Sequence, residues 1–125
     1  MNTGHCYKHF PSQVTWIEAQ LQCQSLGGDL ASVTNSVIND FLTTLTRDQA
    51  WIGGMKIHGN WQWTDGSTWG YTNWARNQPD DEHGRQDRTQ FNWGETGKWD
   101  DVSGDHYNPG RPFICQTFVG QLFDF

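Results

Sequence analysis

Between Ala75 and Phe91 the chain has no Val, Ile, Leu, Met, Phe, Tyr or Trp: "RNQPDDEHGRQDRTQ" sets four acids and three glutamines around one proline. A stretch like this has nothing of its own to bury, so the rest of the chain must hold it from outside. That requirement excludes a bundle of regular elements joined by short turns. It points to a scaffold that carries one long polar loop, and it makes Gln78 and Asp80, the two oxygen-bearing side chains flanking Pro79, the first functional candidates.

A chain of 125 residues fits one domain with a real core, so residues 1–125 are read as a single unit. Its formal charge is −6, and eight of its fourteen Asp and Glu residues lie between Gln78 and Asp105, opposed there only by Arg85, Arg88 and Lys98. Acids clustered in this way repel a phosphate backbone and attract a cation, so nucleic acid is excluded as a partner. Eight Trp and fourteen Gly among few long aliphatic residues imply a loop-rich domain packed through aromatic rings. No run of about 18 apolar residues is present, so no membrane-inserted segment is expected. The start "MNTGHCYKHF" lacks the apolar segment of a signal peptide, and a secreted form would have lost its leader. Three cysteines, Cys6, Cys23 and Cys115, allow at most one internal bridge.

Two helices are expected first. In "TWIEAQLQCQSLGG" Thr15 and Glu18 form a capping box, Trp16, Ala19, Cys23 and Leu26 share a face, and Gly27-Gly28 ends the helix. In "TNSVINDFLTTL" Thr34 or Asn35 caps, and Val37, Ile38, Phe41, Leu42 and Leu45 make an apolar stripe. After Leu45 the pattern changes to short runs, "AWIGG", "NWQWTDG", "RTQFNW", "GKWDDV" and "RPFICQTF", separated by Gly, Asp and Asn, which read as brief strands. Between Gly66 and Arg88 strand signals are nearly absent, and a structureless segment of that length is functional when ordered. Trp69, Tyr71 and Trp74 are placed to anchor its first half.

A helix carrying a Cys, then "GGDLASV", "WIGG", "WQWTDGS", "YTNW", "QPD", "WDD" and "RPFIC" in this order and spacing resemble a C-type lectin-like domain. The match covers about residues 6 to 117, with 118–125 an apolar C-terminal tail outside it. The resemblance implies an α+β double-loop fold with two helices, a small antiparallel sheet and a long ligand-binding loop. It implies a disulfide from Cys23 to Cys115, which closes a loop of roughly 90 residues and stabilises by about 4 to 5 kcal/mol in the chain-entropy model. A second bridge usual in the family falls here on Arg88 and Gly104, so the loop needs another tie. Cys6 stands where longer members pair with an upstream Cys; it is read as a free thiol or as a link between two chains in a homodimer.

The resemblance further implies one Ca²⁺ site on the long loop. A hard cation of this kind takes six to eight oxygens at about 2.3 to 2.6 Å. Gln78, Asp80, Asp100 and Asp101 match the family's ligands, with Pro79 in a cis peptide turning the first two to one side. The fifth ligand, a family Glu, is Gln86 here, while the family's Asn is Asp100. The two changes cancel in charge, so calcium is retained as the expected cofactor. A second calcium is not expected, because Lys56 and His58 stand in the turn that would need an acid, although Asp81 and Asp87 are at hand.

Two neighbouring sugar hydroxyls can sit on such an ion, each donating a hydrogen bond to a carboxylate and accepting one from an amide. In the family Gln-Pro-Asp goes with galactose-type sugars and Glu-Pro-Asn with mannose types. The motif therefore implies glycans with terminal galactose or N-acetylgalactosamine, bound by Gln78, Asp80, Gln86 and Asp100. Exchanging acid and amide at both pairs restores their relative order, which keeps mannose or fucose as the competing specificity. His83 or Trp93 are the candidates to stack on the sugar, with packing the favoured role for Trp93 and simple exposure for His83. An enzyme is the first alternative, from His83, His106, Asp87 and Asp105, but no HExxH spacing or nucleophile setting supports it. The second is a calcium-independent module binding protein, ice or mineral. A lectin of this kind works outside the cell, and secretion is the expected localisation.

Overall fold

The computed structural model describes residues 4–81, 86–104 and 110–118. Its first element is β1 (His5–Val14), followed by α1 (Trp16–Ser25), β2 (Asp29–Leu30) and α2 (Ser36–Leu42). The strands β3 (Ala50–Ile57), β4 (Asn60–Trp63), β5 (Arg88–Phe91), β6 (Trp99–Val102) and β7 (Arg111–Phe118) complete it. Two helices and a seven-stranded sheet make the α+β double-loop architecture that the sequence implied.

The capping box forms as read. Thr15 N donates to Glu18 Oε1 at 2.9 Å, and Glu18 N donates to Thr15 Oγ1 at 3.2 Å, so two helix-end amides are satisfied reciprocally. The buried face of α1 is Trp16, Ala19, Gln20 and Cys23. After Gly27 the chain must pass tightly against β7, since a Cβ on Gly28 would sit 1.9 Å from the Gln116 carbonyl oxygen. Asn35, one of the two candidates, caps α2 by accepting from Ile38 N at 2.9 Å. This helix is shorter than its apolar pattern: it stops at Leu42, and Val37 and Phe41 are exposed at 58% and 48%. Only Ile38 and Leu42 of the expected stripe are buried, because a helix of two turns seats one narrow edge on the core.

Strand order is β1-β7-β3-β5-β6, with β2 added to β7 and β4 to β3. All pairings are antiparallel except β3 with β7, which run parallel at Trp51 and Phe113, so the sheet is mixed rather than antiparallel throughout. Strand β1 carried no signal in the sequence: "HCYKHFPSQV" mixes polar residues with Pro11 and lies at the sheet edge, where proline is tolerated and burial is partial. Alternate residues of the central strands feed two cores. Ala50, Ile52 and Ile114 join Leu42, Trp63, Phe91 and Trp99 in one, while Trp51, Phe113 and Cys115 join Trp16, Cys23 and Leu30 in the other.

Cys23 and Cys115 are bonded, with Cα atoms 5.4 Å apart, and Cys6 is an exposed free thiol. At the positions of the missing second bridge, Arg88 and Gly104 pack directly together. A Cβ on Gly104 would lie 3.4 Å from Arg88 Cβ. The Arg88 guanidinium stacks 4.5 Å above the Trp16 ring and lies 3.3 Å from the Asp87 carboxylate, so a cation–π contact and an ion pair stand where a covalent tie is usual. Bridged cysteines have Cβ atoms about 3.5 to 4.5 Å apart, close to the spacing present. Arg88→Cys with Gly104→Cys should therefore oxidise spontaneously, measured as loss of two free thiols. Closing a loop of about 15 residues would contribute about 3 kcal/mol, less about 1 kcal/mol for the lost stacking, and raise the melting temperature under non-reducing conditions only.

Candidate functional site

The polar loop reaches the sheet through two backbone hydrogen bonds. Trp99 N donates to Asn73 O at 3.0 Å and Ala75 N donates to Trp99 O at 2.8 Å, so residues 73–75 run beside the start of β6. The anchors expected in the loop are seated on the core here. Trp69, Tyr71 and Trp74 all pack against the Trp99 ring, with centroids 6.0, 6.0 and 5.6 Å away. Trp99 itself donates its indole N–H to Asn39 of α2 at 2.8 Å. The chain then turns through a cis Gln78–Pro79 bond.

The turn is held by Asp101. Its Oδ1 accepts from Asp80 N at 3.1 Å and its Oδ2 from Asp81 N at 2.7 Å, and the residue is fully buried. Burial pushes its pKa up, against the pull of those two amides. Asp81 continues the chain of ties: its Oδ1 accepts from Gln86 N at 3.0 Å and lies 3.4 Å from Lys56 Nζ. The Lys56 ammonium also sits 5.6 Å over the Trp61 ring. An ammonium paired with Asp81 thus occupies the turn where the resemblance would place a second ion.

Gln78, Asp80, Gln86 and Asp100, four of the five expected ligands, line one cavity of ≈ 230 Å³. The fifth, Asp101, lies next to it with both oxygens engaged by the turn. Trp93 lines the same cavity and is 38% exposed, and Asn92 before it adopts φ 67°. His83 lies outside the described residues, as do His106 and Asp105 of the enzyme alternative and residues 119–125 of the tail. Asp87 of that alternative faces Arg88 and accepts weakly from Gly104 N at 3.4 Å.

Two polar cavity residues escaped the sequence reading. Gln90 is buried on β5 and donates its amide Nε2 to Asp100 Oδ2 at 2.9 Å, while its Oε1 accepts from Arg111 Nε at 2.8 Å. The Arg111 guanidinium stacks 4.6 Å over Trp51. A basic residue opening the apolar strand "RPFIC" was the available signal. Asp100 is only 7% exposed, and burial pushes its pKa up to about 6; the Gln90 bond and the Arg111 charge oppose this, and Asp101 and Asp80 add to it.

What this set of groups can hold follows from one orphaned atom. Gln78 Oε1 is buried and has no hydrogen-bond partner, a costly state for an amide oxygen unless a cation or donor takes its lone pairs. The donors around the cavity are amide and carboxylate oxygens, without thiols or imidazoles among the described residues, which is the chemistry a hard cation takes. Among the described residues no three His, Cys, Asp or Glu side chains converge as a finished cage. Asp101 is turned to the backbone and Asp100 to Gln90, so a cation here depends on the amide oxygens as well. A larger groove of ≈ 330 Å³ lies at Asp65, Gln116 and Phe118. There Asp65 is already saturated by Ser32, Ser67 and Gln116, whose hydrogen bonds hold its pKa low, so it ties structure together.

Residues 12–117 match the family model of the lectin C-type domain. The chain is 35% identical over 120 residues to a lectin of Pleurodeles waltl, covering 88% of this chain and 68% of that protein. It is 36% identical over 102 residues to the human versican core protein, of which it spans only 3%. The solved structure of the C-type lectin CEL-I from Cucumaria echinata superposes with a TM-score of 0.82 at 32% identity, covering 94% of each chain. That of a calcium-independent type II antifreeze protein superposes with a TM-score of 0.83 at 26% identity, covering 94% of this chain and 89% of that one. The fold, the Cys23–Cys115 bridge and the family model agree: the chain belongs to the C-type lectin domain family.

Proposed function

We propose that the protein is a secreted, calcium-dependent carbohydrate-binding module, with Gln78, Asp80, Gln86, Asp100 and Asp101 as ligands of one Ca²⁺ and terminal galactose or N-acetylgalactosamine as the sugar. The observation that carries this reading is the buried, unpartnered Gln78 Oε1 in a cavity of oxygen donors. Bound there, calcium would supply open positions for two neighbouring sugar hydroxyls. Asp80 and Asp100 accept hydrogen bonds from those hydroxyls, and the amides of Gln78 and Gln86 donate to them. The exposed Trp93 ring offers a flat apolar face to the sugar, with His83 the other candidate for that place. The disulfide supports an oxidising compartment. The exposed Cys6 thiol would be the link between two chains in a homodimer.

A second reading, a module that binds its target without calcium, draws on a different observation. Asp101 already holds the Asp80 and Asp81 amides in place of an ion, so the turn is tied without one. A similar fold serves a calcium-independent antifreeze protein.

Calcium at 100 times its Kd should stabilise the native state by about 2.7 kcal/mol, raising the melting temperature by several degrees over EDTA. Glycan-array binding should favour galactose-terminated glycans, vanish in EDTA, and fall at least roughly tenfold in Asp80→Ala. Preference for mannose or fucose would overturn the galactose assignment, and indifference of both melting and binding to EDTA would establish the second reading.

The ion-free protein has its own pH signature. The Asp100 pKa of about 6 lies above its ordinary 3.8, so its contribution favours the fold at low pH and is lost as pH rises through about 6. Asp100→Asn, measured in EDTA, should therefore raise stability at neutral pH by at most about 3 kcal/mol, and the gain should shrink to nothing near pH 4.

A further inference from the structure

The acid at position 100 stands where the family pattern has an amide, and something must hold it in place among other carboxylates. Asp100 accepts from Gln90 Nε2 at 2.9 Å, and Gln90 accepts from Arg111 Nε at 2.8 Å. A guanidinium has donors and no acceptor, so the Gln90 oxygen must face Arg111 and its NH₂ must face Asp100. The orientation of a buried amide, two percent exposed, is thereby set by a cation on another strand. Were it reversed, Gln90 Oε1 would meet the Asp100 carboxylate, an acceptor against an acceptor. Arg111 is itself fixed by stacking 4.6 Å over the fully buried Trp51, so the relay starts from the rigid core and ends at the cavity.

We propose that Arg111 is a positioning residue of the cavity: through Gln90 it engages Asp100 Oδ2, leaving the other oxygen of that carboxylate as the one offered to a cation and to a sugar hydroxyl. This rests on the calcium reading above for its consequence, though not for its geometry. The relay explains how an acid serves at a position where an amide would be self-supporting. An Asn at position 100 carries no charge to neutralise and can donate as well as accept, so it does not depend on the sense of the Gln90 amide. Arg111 matters only while residue 100 is an acid.

That dependence gives a double-mutant cycle. Calcium affinity is measured by titration calorimetry in four proteins: the unaltered chain, Arg111→Met, Asp100→Asn, and both together. Arg111→Met should weaken calcium roughly tenfold with Asp100 present, the worth of one charge-assisted contact, and less than about twofold with Asn at that position. Equal losses in both backgrounds would show Arg111 acting only through Trp51 and the core, and would overturn the proposal. A second readout is taken without any ion: the Gln90 side-chain NH₂ resonances in a ¹⁵N-labelled sample with EDTA. One proton bonded to a carboxylate separates the pair in the unaltered chain, and the separation should collapse in Arg111→Met and in Arg111→Lys, since lysine keeps the charge but lacks the planar Nε–H. Unchanged Gln90 resonances in Arg111→Lys, a variant that retains the stem over Trp51, would refute the relay whatever calcium does. Absence of calcium binding by the unaltered chain, with the resonances behaving as expected, would instead overturn the role in ion binding and the proposed function together.

Discussion

Everything in the candidate site depends on strand β6, because the loop it faces has no apolar residue of its own between Ala75 and Phe91. In four residues, Trp99–Val102, the strand supplies each kind of tie the loop lacks. The Trp99 backbone brackets Asn73 and Ala75, and its ring receives the three aromatic anchors. Asp101 captures the two amides after the cis proline, and Asp100 turns into the cavity. The ring of Trp99 is fully buried against Trp63, so these ties rest on the core rather than on the surface. Asp101 holds the amides of Asp80 and Asp81 and Asp100 lines the cavity with Gln78 and Asp80, so β6 brings these oxygens together.

Two carboxylates in this fold show what separates a structural acid from a poised one. Asp65 and Asp100 are both drawn out of water. Asp65 accepts from Ser67 N, Ser67 Oγ, Ser32 Oγ and Gln116 Nε2, and its pKa falls below the ordinary carboxylate value. Asp100 is given Gln90 and faces two other acids, and its pKa climbs to about 6. Burial raises both, and four hydrogen-bond donors outweigh it at Asp65, whereas at Asp100 the Gln90 donor and the Arg111 charge do not outweigh burial and the neighbouring acids. A buried anion left short of donors beside an orphaned amide oxygen has a use for a cation, whereas a saturated one has none.

Much of this was legible from residue order. The capping box at Thr15 and Glu18 and the aromatic anchors are local or nearly local patterns, and each is found where the sequence placed it; the oxygen-bearing side chains of Gln78, Asp80, Gln86 and Asp100 line one cavity. Features that depend on tertiary contact were not legible. Strand β1 borrows its order from β7, so "HCYKHFPSQV" shows no period of its own. Val37 and Phe41 complete an apolar stripe on α2, but how much of a stripe is covered depends on the neighbours. The left-handed backbone at Asn92 and the partial exposure of Trp93 after it are announced by nothing in "FNWG". Gln90 and Arg111 lie far apart in the chain and have meaning only after β5 and β7 are placed.

The same placement explains how an acidic loop is retained where the family's second covalent bridge is absent. Three of the cations along it rest on indole rings. Lys56 lies over Trp61 and reaches Asp81, Arg88 lies over Trp16 and reaches Asp87, and Arg111 lies over Trp51 and reaches Asp100 through Gln90. A cation leaving water needs compensation, and the negative face of an indole offers part of it without consuming a hydrogen-bond acceptor. The guanidinium or ammonium then keeps its N–H groups for the loop. Trp16 and Trp51 are core residues, so Arg88 and Arg111 are supported by the packed interior, while the half-buried Trp61 supports Lys56 nearer the surface. The abundance of tryptophan, which composition alone assigns to core packing, thus has a second consequence. It carries positive charge to the edge of a loop whose own residues are mostly polar and acidic.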